Sequence, residues 1–200
     1  MQLEASGLVC VRGGREVFRG LDFSLSGGQA LLITGRNGAG KSSLLRMVGG
    51  LVRIAGGRLD LTGSNPELSI AEQAHYLGHQ DALKPALTVA ENLDFWVRYL
   101  GGGVQSNAAL AAMGLERLAD LPAGYLSAGQ RRRLAIARLI AVKRPIWLLD
   151  EPNTALDQGA QAGLAKVMTE HLSAGGMILA AVHGPIELSH AQELRLGAAP

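Results

Sequence analysis

The spacing of hydrophobic and polar residues changes along the chain, and each change marks a different kind of element. Val9–Val11 and Glu16–Phe18 are short strand-like runs on either side of Gly13-Gly14, which predicts two strands joined by a tight hairpin turn. Leu21, Phe23 and Leu25 then alternate with Asp22, Ser24 and Ser26, the period of a strand with one buried face. After a turn at Gly27-Gly28, Ala30–Ile33 has no polar member, so it reads as a central strand covered on both sides. A glycine-rich loop follows, and then a helical pattern with Leu44, Val48 and Leu51 on one side.

Between about 82 and 125 the pattern becomes helical. Thr88-Val89-Ala90-Glu91 is a capping box, in which Thr88 accepts from the backbone three residues on while Glu91 reaches back. Behind it Val89, Leu93, Trp96 and Leu100 fall on one helical face. Gly101–Gly103 ends that helix, and a shorter one is expected around Asn107–Met113. The last third alternates helix with strand. Helix 127–142 precedes strand Ile146–Leu149, and helix 158–172, with Leu164, Val167, Met168 and Leu172 on one face, precedes strand Met177–Val182. Such alternation predicts an α/β fold with a parallel, helix-covered sheet. No repeat, low-complexity run or linker interrupts residues 1–200, which are read as one domain with a helical insertion at about 82–125.

Composition narrows the function classes. A chain of 200 residues, 48% apolar and 18% charged, can fill one sizeable core and is not a disordered polyelectrolyte. A formal charge of +2 implies no polyanion partner, and nucleic acid is not expected. Arg131-Arg132-Arg133 is read as a helix whose guanidiniums are solvated or paired. Cys10 is the only cysteine; it excludes an internal disulfide and is expected to be a small buried hydrophobe. The start, MQLEASGLVC, has no basic region followed by an apolar run, so no signal peptide is expected. No apolar stretch approaches the ~20 residues that span a bilayer. Any membrane role is expected to come through a partner.

The chemistry is concentrated in three places. Gly35-Arg36-Asn37-Gly38-Ala39-Gly40-Lys41-Ser42, followed by Ser43, fits the phosphate-loop pattern at every specified position. Its glycines let backbone N–H groups curl around an oxyanion, and the helix behind adds about half a positive charge at its start. Lys41 adds a full charge, worth about 4 kcal/mol at 4 Å in an effective dielectric of 20, and Ser42 suits a Mg²⁺ ligand. Ile146–Glu151 is an apolar strand ending in two acids. Asp150 is placed to hold Mg²⁺ through water, and Glu151 to orient or deprotonate an attacking water. His183 follows the last apolar strand, where it is suited to contact a γ-phosphate. Gln80 follows the segment His75–His79 and is a candidate for Mg²⁺ or the attacking water. Gln73 is a rival of the same type but precedes that strand.

The third place is "LSAGQ", Leu126–Gln130. Ser127, Gly129 and Gln130 open a helix whose free N–H groups form an anion site, yet no lysine accompanies it and a complete phosphate loop already exists. The ATP-binding cassette superfamily reconciles the two. The chain resembles it over nearly its whole length: Gly35–Ser42 resembles its Walker A motif, Gln80 its Q-loop, Leu126–Gln130 its signature, Ile146–Glu151 its Walker B motif, Ala155-Leu156-Asp157 its D-loop and His183 its switch histidine. The resemblance implies a P-loop NTPase fold with a parallel core sheet, an antiparallel β subdomain near the N-terminus and an inserted helical subdomain. It implies ATP and Mg²⁺ as ligands, and a dimer in which Ser127, Gly129 and Gln130 of one subunit face the nucleotide held by Lys41 of the other. Two positions depart from the pattern. Ala128 replaces a glycine, and the position that usually stacks an aromatic on adenine is Arg12, a guanidinium that can also stack on a base. Phe18 is a substitute stacker, although it also reads as a core strand residue.

"YLGHQDALKPALTVAENLDFW", "LSAGQRRRLAIARL" and "WLLDEPNTALD" together resemble the ATP-binding subunits of cytochrome c biogenesis haem exporters. Only 17 residues follow His183, so no regulatory domain is expected. That family implies two ATPase subunits on an integral membrane permease, at the cytoplasmic face of the bacterial inner membrane, working with other haem-handling proteins. An ATPase of another exporter, or a soluble iron–sulfur assembly ATPase of the superfamily, are the alternatives. His75 and His79 sit in no haem-ligand motif and are read as surface residues beside Gln80.

Overall fold

The computed structural model describes residues 1–101, 106–184, 186, 188 and 191–197. In chain order its elements are strands β1 (Gln2–Arg12), β2 (Arg15–Ser26) and β3 (Ala30–Gly35), helix α1 (Lys41–Val48), β4 (Gly56–Thr62), β5 (Ala74–Leu77), α2 (Val89–Tyr99), α3 (Ser106–Ala112), α4 (Ala128–Ala141), β6 (Ile146–Asp150), α5 (Gln158–Ser173), β7 (Met177–Ala181) and β8 (Ala191–Leu196). The chain divides into two compact units. The first comprises Met1–Gly78, Pro145–Pro152 and Met168–Pro200, and the second His79–Arg144 and Asn153–Val167.

The first unit holds both sheets. An antiparallel sheet has the order β2-β1-β4, and a five-stranded sheet has the order β5-β6-β7-β3-β8 with every pairing parallel. Gly13 and Gly14 both take positive φ, 55° and 76°, which lets a two-residue turn match the twist of the strands it joins. The two strands expected at Glu16–Phe18 and Leu21–Leu25 are one continuous strand, β2. Cys10 pairs with Phe18 and Leu8 with Leu21, so the extra residue is absorbed as a bulge around Gly20, whose φ is 67°. A bulge breaks the two-residue rhythm without ending the strand.

β3 lies between β7 and β8, as its uninterrupted apolar run predicts. Every residue of β6 and β7 is buried. Leu3, Leu8, Cys10 and Leu25 from the antiparallel sheet share one core with Leu44 and Leu45 of α1 and with Leu148 and Leu179 of the parallel sheet. α1 is shorter than its pattern suggests. It ends at Val48, capped by Gly49, and a Cβ on Gly49 would stand 3.2 Å from Leu148 Cδ1. Leu51 therefore lies beyond the helix and is 63% exposed, not on its buried face. β8 has no legible apolar period because Gln192, Glu193 and Arg195 interrupt its apolar residues; it lies at the edge of the sheet, paired with β3.

In the second unit, α2 begins with the expected capping box. Thr88 Oγ1 accepts from Glu91 N at 3.1 Å, and the Glu91 carboxylate accepts from Thr88 N at 2.8 Å. Val89 and Leu93 are buried, while Trp96 lies under the Arg138 guanidinium at 4.4 Å. Burial pushes the Arg138 pKa down to about 10, with the neighbouring Asp81 opposing that shift. Arg138 remains charged at neutral pH. Gly101 follows α2 with φ 72°, whereas Gly102 and Gly103 lie outside the described residues. Short 3₁₀ turns at Glu116–Leu118 and Ala123–Tyr125 lead into α4.

Within the first unit, the His171 ring stacks on Trp147 with centroids 3.9 Å apart and planes 9° from parallel. Burial lowers the His171 pKa from its ordinary 6.5. The unfolded chain therefore binds a proton near pH 6.5 that the folded chain refuses until lower pH, so stability is complete above about 6.5 and falls as pH drops below it. The wild-type thermal midpoint is expected to fall between pH 7.5 and 5.5. His171→Phe, which keeps a flat ring on Trp147, should lessen that fall; an unchanged slope would remove His171 as its source.

Candidate functional site

β3 delivers the chain to Gly35, whose φ of 133° is closed to ordinary side chains. A Cβ there would stand 2.3 Å from the Leu196 carbonyl of β8, so the loop leaves the sheet along a path that only glycine can follow. The loop re-enters regular structure at Gly40, the N-cap of α1, with φ 104°. A Cβ on Gly40 would meet Val17 Cγ1 at 2.6 Å and Phe18 Cδ1 at 3.1 Å. Phe18 thus packs against the loop from below, as a half-buried residue of β2.

Between those glycines, Arg36, Asn37 and Gly38 are exposed and Ala39 is half-buried. Lys41 is only 7% exposed. Its Nζ donates to the carbonyls of Gly35 at 2.8 Å and Arg36 at 3.3 Å, so the loop is wound around its own cation. Ser42 and Ser43 follow on the first turn of α1, both half-buried. Ser42 Oγ donates to Asp150 Oδ1 at 2.9 Å, joining α1 to the end of β6.

Asp150 is 3% exposed at the end of β6, where β7 still pairs with it through Ala181 and β5 pairs with the strand as far as Leu149. Its other carboxylate oxygen accepts from the Tyr76 hydroxyl at 3.4 Å, and that hydroxyl accepts from Arg46 Nε at 3.0 Å. Burial is the main cause of a raised Tyr76 pKa. Sequence reasoning passed over Arg46 and Tyr76. The available signal was an arginine set between the apolar Leu45 and Met47, and a hydroxyl inside the buried strand Ala74–Leu77.

At Glu151 the backbone turns abruptly to φ 50°, a strained value for a residue with a side chain. Its N–H is held by the Ala181 carbonyl at 3.0 Å. The turn brings Glu151 Oε1 to 2.8 Å from His183 Nε2. Beside this pair lies a cavity of about 330 Å³, lined among others by Thr34, Gly35, His183 and Glu193; Thr34 Oγ1 donates to Glu193 Oε1 at 2.6 Å.

The first unit therefore gathers Lys41, Ser42, Asp150, Glu151 and His183 at the carboxyl ends of parallel strands, where open α/β sheets bind ligands. Arg12 is exposed at the tip of the β1–β2 hairpin, opposite Arg15. Gln80 is an exposed residue of the second unit, next to Asp81, which pairs with Arg132 at 3.1 Å. Gln73 is buried, and its amide donates to the carbonyls of Asn65 and Leu68, which accounts for it structurally. His79 is exposed, but His75, expected at the surface, is 2% exposed in β5.

A family model described as "ABC transporter" matches residues 18–154. The chain belongs to the ABC transporter family. Cytochrome c biogenesis ATP-binding export proteins CcmA of Nitrobacter winogradskyi and Rhodopseudomonas palustris are 62% and 58% identical to it over 200 residues, covering 100% of both chains in each case. A putative ABC transporter ATP-binding protein from Pyrococcus furiosus superposes with a TM-score of 0.82 at 21% identity, over 97% of this chain and 98% of that one. That likeness confirms the ABC ATPase fold.

The signature segment of this ABC protein is held by its own cap. Ser127 Oγ accepts from Gln130 N at 3.2 Å, while Gln130 Oε1 accepts from Ser127 N at 2.8 Å. The third letter tolerates Ala128 because that residue is exposed. The fourth does not: a Cβ on Gly129 would stand 2.9 Å from the Ala155 carbonyl. The three following arginines are each engaged within the second unit, Arg131 with the Leu126 carbonyl, Arg132 with Asp81 and Arg133 with the Met113 carbonyl.

The residues fit the ligands of the family. Glycine backbone at Gly35, Gly38 and Gly40, with positive φ at each, can aim N–H groups at phosphate. Ser42 and Asp150 offer adjacent hard oxygens, the donors that Mg²⁺ prefers. Among the described residues no three His, Cys, Asp or Glu cluster as a metal cage. Gly40→Ala should strain both the φ of 104° and the contact with Val17. It is expected to weaken ATP binding at least tenfold in a fluorescent-nucleotide titration, and Gly40→Ala with Val17→Ala should recover only part of the loss.

Proposed function

We propose that this chain is the ATP-hydrolysing subunit of an ABC exporter in cytochrome c biogenesis, within one ATP-binding domain whose helical insertion runs at about 82–125. Full-length identity of 62% to a protein of that name supports the pathway. The observation that carries the chemistry is the Glu151–His183 contact at 2.8 Å, set beside Lys41, Ser42 and Asp150.

In this reading the N–H groups of Gly35–Ser43 and the start of α1 receive the phosphates, and Lys41 exchanges its loop carbonyls for phosphate oxygens. Ser42 and Asp150 would hold Mg²⁺, which when bound would neutralise phosphate charge, and Gln80 is the further ligand that the family resemblance implies. Glu151 takes the proton of the water that attacks the γ-phosphorus; the bond to the ADP oxygen breaks, leaving ADP and inorganic phosphate. His183 fixes the Glu151 carboxylate and reads the γ-phosphate. Arg12 stacks on the base. Ser127, Gly129 and Gln130 face the nucleotide of a second copy, so two chains enclose two ATP molecules. No helix among the described residues is long and apolar enough to cross a membrane. In this reading the working complex is a dimer docked on a separate permease at the cytoplasmic face of the inner membrane, where turnover drives haem export or release of a haem chaperone.

Glu151→Gln should lower phosphate release at least a hundredfold, in line with loss of a general base, while ATP binding persists and an ATP-bound dimer accumulates on size exclusion. Undiminished turnover in that variant would remove Glu151 from this role. Affinity capture from native membranes is expected to recover a permease and haem-handling proteins. Recovery of soluble partners alone would point to an assembly ATPase instead.

A further inference from the structure

We propose that Tyr76 is a positioning residue for the divalent cation that accompanies ATP, acting through Asp150. The inference rests on the reading of Ser42 and Asp150 as the cation's protein ligands. Direction is fixed by chemistry, without sight of a hydrogen atom. Arginine can only donate and an ionised carboxylate can only accept. The Tyr76 hydroxyl, which contacts Arg46 Nε at 3.0 Å and Asp150 Oδ2 at 3.4 Å, therefore accepts from Arg46 and turns its one proton to Asp150. Ser42 Oγ meets the other oxygen, Oδ1, at 2.9 Å. The carboxylate is thus gripped at both oxygens, from α1 on one side and β5 on the other, and its plane cannot rotate without breaking a hydrogen bond.

The tyrosine itself is well held. Its register partner across the parallel ladder is Leu148, two residues before Asp150. Its ring folds over Gly78, where a Cβ would come within 2.9 Å of Cε1 and 3.4 Å of the hydroxyl. Arg46, on the helix that carries Lys41 and Ser42, then makes the hydroxyl a better donor by loading its lone pair with a charged partner. Cation ligation needs a carboxylate already in orientation, and partners behind the ligands commonly set metal affinity by factors of ten or more.

The test is a Tyr76→Phe variant, which keeps the ring and removes only the hydroxyl. ATP affinity is measured first without divalent metal, by displacement of a fluorescent nucleotide. Mn²⁺ affinity of the ATP complex is then measured by electron paramagnetic resonance. The expected result is metal-free ATP affinity within about twofold of wild type and Mn²⁺ affinity about tenfold weaker. Unchanged Mn²⁺ affinity would overturn the proposal, and so would an equal loss in metal-free ATP binding, which would mark Tyr76 as a merely structural support. Ser42→Ala separates the two levels of the argument. If that variant binds Mn²⁺ as wild type does, the cation reading of Ser42 and Asp150 falls and the role of Tyr76 falls with it. If Ser42→Ala loses the ion while Tyr76→Phe does not, only the Tyr76 proposal is lost.

Discussion

Lys41 can lie inside the protein because the chain turns its own carbonyls inward to meet its Nζ. An ammonium buried without partners would cost several kcal/mol, and at 7% exposure Lys41 cannot rely on water. The carbonyls of Gly35 and Arg36 supply the partners. They can do so only because Gly35 leaves β3 against the Leu196 carbonyl and Gly40 enters α1 against Val17, both at positive φ. The loop, the direction of α1 and the contact of the antiparallel sheet with the loop thus follow from one requirement, which is to surround a cation with backbone while leaving N–H groups for an anion.

The carboxyl end of β6 answers that cation with acids. A strand buried on both faces can present polar groups only at its tip, and the two acids there separate by backbone conformation. Asp150 continues the strand and is gripped by Ser42 and Tyr76, whereas Glu151 turns out of it at φ 50° and meets His183. One carboxylate is immobilised and the other is aimed across the mouth of the sheet. That division suits the two different tasks proposed for these adjacent acids, cation support for Asp150 and proton transfer for Glu151.

The second unit uses the same physics without a lysine. At the start of α4, Ser127 and Gln130 satisfy each other's backbone N–H groups, leaving the remaining N–H groups of the first turn available. Gly129 must stay small because the Ala155 carbonyl lies over it, while Ala128 faces outward and carries its methyl freely. A departure from the common spelling of this motif therefore falls at the position where structure permits one. The arginine triplet likewise resolves into three internal contacts, with Arg132 holding Asp81 next to Gln80.

The residue pattern by itself determined the alternation of buried strands and helices, the capping box at Thr88, the phosphate loop, the two acids at the end of β6 and the order of motifs that marks the ABC family. Each is local: its signal lies within a few residues, and the physics of turns, caps and strand period acts over the same range. What only the tertiary structure decided joins residues far apart in the chain. The bulge at Gly20 that makes β2 continuous depends on pairing with β1, and Gly49, which ends α1 before Leu51, lies in close approach to Leu148 of β6. The burial of His75 and the reach of Tyr76 to Asp150 depend on β5 pairing with β6, a strand some seventy residues later. Spacing along one segment cannot encode such contacts, because a side chain's partners across a parallel sheet are set by strand order and register.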